Sequence, residues 1–198
     1  MIVVTSPSAV NNEAAIINAM FNEGLELLHI RKPDATAGGV RKLIEGINSR
    51  HYKRIAVHQH HEIAPDYGIN RLHFKEVERL RHADGQITSL KQKGFILSTS
   101  VHSWESYEQL QLMFSYAFIG PVFNSISKKD YPAMKSADEL LKKSGIDRVA
   151  IGGITAENCT DSLLKHFDSI AVLGALWLSE EPLHEFKRIQ QAWNTTGR

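Results

Sequence analysis

Eight short runs of apolar and β-branched residues recur along the chain, and most are separated by stretches patterned like helices. They fall at residues 2–5, 27–31, 54–58, 71–74, 95–101, 116–123, 148–154 and 169–176. Between them, apolar residues recur three and four positions apart, the spacing that gives a helix one buried face. Ala14, Ile17, Met20 and Phe21 mark such a face after the first run, and Val40, Leu43, Ile44 and Ile47 after the second. Leu110, Met113 and Phe114 follow the fifth run, with Ser103 placed as an N-cap. Leu140 and Leu141 follow the sixth, Leu163, Leu164 and Phe167 the seventh, and Leu183, Phe186, Ile189 and Trp193 the eighth.

Strict alternation of strand and helix implies right-handed crossovers and a parallel sheet. Eight units predict a closed (β/α)8 TIM barrel spanning 1–198 as one domain. A doubly wound open sheet, the competitor, more often has five or six strands. With 198 residues the connections must be short. The third is the tightest, because residues 61–70 leave little room for a full helix.

Charge and cysteine content narrow the function. A formal net charge of +1, with Lys and Arg scattered, argues against binding nucleic acid electrostatically. The lone Cys159 excludes an internal disulfide framework and fits a reducing compartment. It reads as an inert buried thiol more readily than as a nucleophile. Residues 1–6 lack the pattern of a signal peptide, and no apolar stretch is long enough to cross a bilayer. The expectation is a cytoplasmic protein.

In such a barrel the chemistry lies at the carboxyl ends of the strands. Alternation puts His29 and Arg31 on one face at the end of the second strand. Arg31 could hold a diphosphate or carboxylate through its planar fork, or pair with a structural acid. After the sixth strand, Ser125, Ser127 and Lys128 offer two hydroxyls and an ammonium to a diphosphate, or form a polar turn. Gly152 and Gly153 after the seventh strand, and Gly174 after the eighth, allow close approach of backbone N–H groups to a phosphate, with a short helix following the eighth. Otherwise they only permit tight turns. His58, His60 and His61 could ligate a transition metal or lie on a solvated loop. His73 and His102 could touch substrate or be satisfied core residues.

These segments together resemble the thiamine-phosphate synthase and TenI-type thiazole tautomerase families along essentially the whole chain. The most specific part is Gly120-Pro121-Val122-Phe123-Asn124-Ser125-Ile126-Ser127-Lys128, similar to G-P-[VI]-F-x-T-x-T-K with both threonines replaced by serine. His29-Ile30-Arg31, Ser100-Val101-His102-Ser103, Ile151-Gly152-Gly153-Ile154 and Val172-Leu173-Gly174 resemble further family segments, in the right order. The resemblance implies that an aminopyrimidine methyl diphosphate is joined to hydroxyethylthiazole phosphate, releasing pyrophosphate, with Mg2+ assisting departure of the diphosphate. It assigns the diphosphate to Arg31, Ser125, Ser127 and Lys128, with Arg31 and Lys128 as the catalytic pair. Ser100 falls on the pyrimidine side, and the backbone of Gly153, Leu173 and Gly174 on the thiazole phosphate. His29 and His58 join the expected substrate-binding set.

The same resemblance exposes departures. The synthase lysine of R-E-K is lost, or displaced by one to Lys32. An N-D pair becomes His58-Gln59, which removes one magnesium ligand, and G-Q-x-D becomes Lys75-Glu76-Val77-Glu78, leaving Glu78 as the candidate metal ligand. The histidine of a tautomerase G-H-V-F segment is Pro121 here. Synthase-type transfer is the expectation, with a thiazole phosphate tautomerase or a non-catalytic barrel binding a phosphorylated thiamine precursor as alternatives.

Overall fold

A computed structural model of the chain describes residues 1–81, 84–123 and 145–197. Eight parallel strands close into a barrel: β1 (Ile2–Val4), β2 (Leu27–Ile30), β3 (Ile55–Val57), β4 (Arg71–Phe74), β5 (Ile96–Val101), β6 (Tyr116–Ile119), β7 (Asp147–Ile151) and β8 (Ser169–Val172). Each pairs with the next, and β8 returns to β1 through Ile2 opposite Ala171. The expected barrel is present; an open sheet is not.

Alternation splits the strand residues between two apolar regions. One set faces outward and packs under the helices: Val3, Leu28, Leu72, Leu97, Ala117 and Ile170 among them. The other fills the barrel, where Ile2, Val4, Phe118, Val149 and Ala171 pack together.

The helices close the outer layer. Helix α1 (Glu13–Asn22) buries Ile17, Met20 and Phe21, and α2 (Ala37–Gly46) buries Val40 and Ile44 behind a Thr36 N-cap. The β3–β4 connection is, as its length requires, a 3-10 helix (His61–Tyr67) ended by Gly68 at φ 64°. Helices α3 (Glu76–Arg81) and α4 (Asp84–Gln92) follow β4. Helix α5 (Trp104–Glu108) starts at the Ser103 cap, whose hydroxyl accepts from Ser106 N–H, but ends before Leu110. Leu110 and Phe114 are buried from tight turns instead, because β6 begins at Tyr116. After β7 the chain takes turns and a 3-10 helix (Ser162–His166) rather than the expected α-helix. Asn158 bonds back to Gly153 O and Thr155 N–H, consuming residues that a longer helix would need. Helices α6 (Gly174–Trp177) and α7 (Pro182–Asn194) finish the layer; α7 has Pro182 in its first turn and buries Phe186, Ile189 and Trp193. Leu140 and Leu141 lie outside the described residues.

Candidate active site

The barrel interior is divided. Strands β1, β7 and β8 contribute aliphatic residues, the usual filling of such barrels. Strands β2, β4, β5 and β6, with His58 just after β3, contribute a polar set that runs from Tyr116 at the start of β6 to Ser100 near the end of β5. Register brings His29 beside Ala56, His73 beside Ser98, and Ser98 beside Tyr116, so these side chains share the inward face. His58 follows β3 by one residue and holds the same parity, two positions after Ala56.

Their hydrogen bonds form a connected cluster. His29 Nδ1 lies 2.8 Å from His58 Nε2, and His29 Nε2 lies 2.7 Å from the Tyr116 hydroxyl. His73 meets the Ser98 hydroxyl at 2.9 Å through Nδ1 and the Ser100 hydroxyl at 2.8 Å through Nε2. The His58 and His73 rings stack with centroids 4.0 Å apart, and Phe118 packs against both and against His29. Burial disfavours the charged imidazolium, lowering His29 to about 3 and holding His58 and His73 well below the ordinary histidine range. Burial likewise pushes the Tyr116 phenol up to about 12. At neutral pH the cluster is uncharged.

Arg31 stands two residues beyond His29 on the inward face, at the barrel mouth. Its backbone is fixed by Thr5, whose hydroxyl accepts from Arg31 N–H at 2.8 Å and donates to Arg31 O at 3.1 Å. Among the described residues no acid pairs with its guanidinium. Lys32 faces the other way. It is buried against Glu13 at 2.7 Å and donates to Ser8 O at 2.7 Å, tying the β1 loop and α1 to β2. The lysine of the second strand is therefore lost from the mouth rather than displaced within it.

Across the mouth, the ends of β6, β7 and β8 meet. Gly120 packs so closely on β7 that a Cβ would stand 2.0 Å from Ile151 O. A cis peptide joins Gly120 to Pro121, and Val122 and Phe123 then donate to Ile151 O and Gly152 O at 3.0 and 3.1 Å. Gly152 has φ 104° and Gly153 φ 67°, both in the region that only glycine enters easily. Leu173 leads into α6, whose first N–H groups have no carbonyl partner within the helix. Trp177 holds α6 in place through a 2.7 Å bond from Nε1 to Val4 O. Ser125, Ser127 and Lys128 lie outside the described residues, which stop on this side at Phe123.

The chain matches the family model described as thiamine monophosphate synthase over residues 1–176. It belongs to the thiamine monophosphate synthase family. A thiamine-phosphate synthase from Streptococcus suis is 37% identical over 94 residues, covering 45% of this chain and 41% of that protein. One from Bacillus mycoides is 29% identical over 118 residues, covering 56% and 54%. The matched stretches thus span about half the length of these curated relatives. The crystal structure of thiamine phosphate pyrophosphorylase from Bacteroides thetaiotaomicron superposes with a TM-score of 0.75 at 26% identity, covering 98% of this chain and 97% of that one.

Within this family, the residues at the expected magnesium positions do not fit that ion. Mg2+ takes hard oxygen ligands, above all carboxylates. Glu78 is already committed to Lys75, at 3.3 Å from its ammonium and 3.3 Å from its backbone N–H. Gln59 supplies an amide whose Nε2 is buried with no hydrogen-bond partner. Among the described residues, these two positions supply one carboxylate rather than a pair.

The other histidines separate. His60 Nε2 meets Ala35 O at 2.9 Å and His61 Nε2 meets His73 O at 3.1 Å, so the three-histidine loop cluster read from sequence is not a unit. His102 lies more than half exposed with Nδ1 3.0 Å from Gly120 O. The grouping that the structure does make, His29 with His58 and His73, was missed. Its signal was three inward-parity histidines at matched heights on adjacent strands, and only the register makes heights comparable.

Proposed function

We propose that this family member catalyses thiamine-phosphate synthase-type transfer, joining an aminopyrimidine methyl diphosphate to hydroxyethylthiazole phosphate. The bond from the pyrimidine methylene carbon to the diphosphate oxygen breaks, the thiazole nitrogen bonds to that carbon, and pyrophosphate leaves. The observation that carries the reading is the meeting of β6, β7 and β8. Phe123, which ends the described residues on this side, donates to Gly152 O at the edge of the Gly152-Gly153 loop. A glycine cradle for one phosphate and the Arg31 guanidinium at the same barrel mouth suit a reaction between two phosphorylated substrates.

In this reading the backbone of Gly153, Leu173 and Gly174 holds the thiazole phosphate. Arg31, Ser125, Ser127 and Lys128 bind the diphosphate, and Ser100 meets the pyrimidine. His29 and His58 complete the substrate-binding set. Charge grows on the diphosphate as its bond to carbon breaks, so fixed cations stabilise the transition state more than the ground state. With one acidic magnesium ligand replaced by Gln59, Arg31 and Lys128 carry more of that charge, and no step is routed through the metal. A cytoplasmic location belongs to the same proposal, supported by the lone buried thiol of Cys159.

Lys128→Ala tests the reading. Loss of one such group costs on the order of 100-fold in rate. Turnover should fall by about that factor while affinity for thiazole phosphate, measured by calorimetry, stays near wild type. Near wild-type turnover in the variant would remove Lys128 from the site and contradict the assignment.

A further inference from the structure

We propose that His29, His58 and His73 form a binding site for a divalent d-block cation, Zn2+ by preference, at the floor of the barrel mouth. One nitrogen from each ring lies within 4.8 Å of the others. Each ring comes from a different neighbouring strand end, so the barrel register holds the trio together.

The distances suit the ion. Zinc–imidazole bonds of about 2.0–2.1 Å in a tetrahedral site put ligand nitrogens roughly 3.4 Å apart. His29 Nδ1 and His58 Nε2 stand at 2.8 Å, and the trio as a whole at no more than 4.8 Å, so the required spacing falls between values already present. Loading requires the His58 and His73 rings, stacked with centroids 4.0 Å apart and planes 23° from parallel, to turn out of their stack so that both lone pairs point at the ion.

The surroundings match those of ligating histidines, whose second nitrogen is held by a hydroxyl, carboxylate or carbonyl. With Nδ1 of His29 on the metal, Nε2 keeps the Tyr116 hydroxyl at 2.7 Å. Whichever nitrogen His73 offers, the other keeps Ser98 or Ser100. Burial supplies the neutral ring form that ligates. Loading displaces the hydrogen between His29 and His58, which His58 takes up on Nδ1 as its tautomer changes, and one of the two serine hydrogen bonds of His73. Three imidazoles select a borderline ion over magnesium, and three protein ligands leave a fourth position for water or an oxygen anion from the mouth. The proposal stands apart from the transferase reading, since binding needs no turnover.

The experiment is a titration of the full chain, stripped with a chelator and dialysed, with Co2+ as the spectroscopic probe. One Co2+ per chain is expected, with the visible d–d absorption of a low-coordinate site, displaced by one equivalent of Zn2+. His58→Gln and His73→Asn, each checked for folding by circular dichroism, should weaken binding by at least about ten-fold. His60→Ala should leave it unchanged. X-ray absorption of the wild-type zinc form should count three imidazoles, which keeps the test decisive if a variant fails to fold. Absence of stoichiometric Co2+ binding, fewer than three imidazoles, or loss of binding in His60→Ala would each overturn the proposal.

Discussion

Burial of three imidazoles at the ends of β2, β3 and β4 makes stability depend on pH. A histidine lowered in the folded state takes up its proton more readily when unfolded. Its stabilising contribution is complete above the unfolded value near 6.5 and declines as pH falls toward the folded value, about 3 for His29. Each such group costs about 1.4 kcal/mol per pH unit within that window. Denaturant unfolding of the metal-free protein should show stability flat above pH 7 and falling steeply below 6.5. The slope should be shallower in His73→Asn. An unchanged slope in that variant would show that His73 does not contribute to the acid sensitivity. At the same scale, the burial of Lys32 was not legible from its position in the sequence. The lysine follows Arg31 directly, but parity turns it away from the mouth, and only the fold reveals Glu13 as its partner.

That ion pair links elements. Glu13 begins α1 and Lys32 follows β2, and both side chains are less than one-tenth exposed. Desolvation raises the Glu13 carboxyl despite the lysine beside it. Removing one partner of a buried pair strands the other charge, at a cost of about 3–5 kcal/mol. Lys32→Met alone should therefore destabilise strongly, while Lys32→Met with Glu13→Leu should recover most of the loss in thermal or denaturant melts. Full additivity of the two changes would contradict the pairing. The β7–α6 face makes a second prediction. Gly152→Ala would force a side chain to φ 104° and put its Cβ 2.6 Å from Pro121 Cβ. The backbone conformation alone should cost roughly 1–3 kcal/mol, and thiazole phosphate affinity should drop with it. Unaltered binding and stability would remove this loop from the cradle. The glycines themselves were readable from sequence because their need for unusual φ is intrinsic; the tight fit of Gly152 against Pro121 was not.

For the molecule as a whole, the barrel was legible because every strand and nearly every crossover carries its own period, and eight such units point to closure. What escaped was local. The β5 and β7 connections carried apolar residues at helical spacing, yet Leu110, Phe114 and Leu164 reach the core from turns and a 3-10 helix. Burial, not helix formation, was what their pattern recorded. The mouth was half legible: Arg31 and the glycine loops stand where alternation and strand ends put them, whereas the histidine cluster needed the relative height of three strands. On the proposed function, this barrel joins two phosphorylated substrates despite ill-suited magnesium positions. The direct measurement is chromatographic detection of thiamine phosphate, with enzymatic detection of pyrophosphate, after incubating the purified chain with both substrates across a range of magnesium. Equal amounts of the two products are expected, formed only when both substrates are present. Absence of both products at every magnesium concentration, beside an active control enzyme, would contradict it, and retained binding of thiazole phosphate in that case would identify a binding barrel instead.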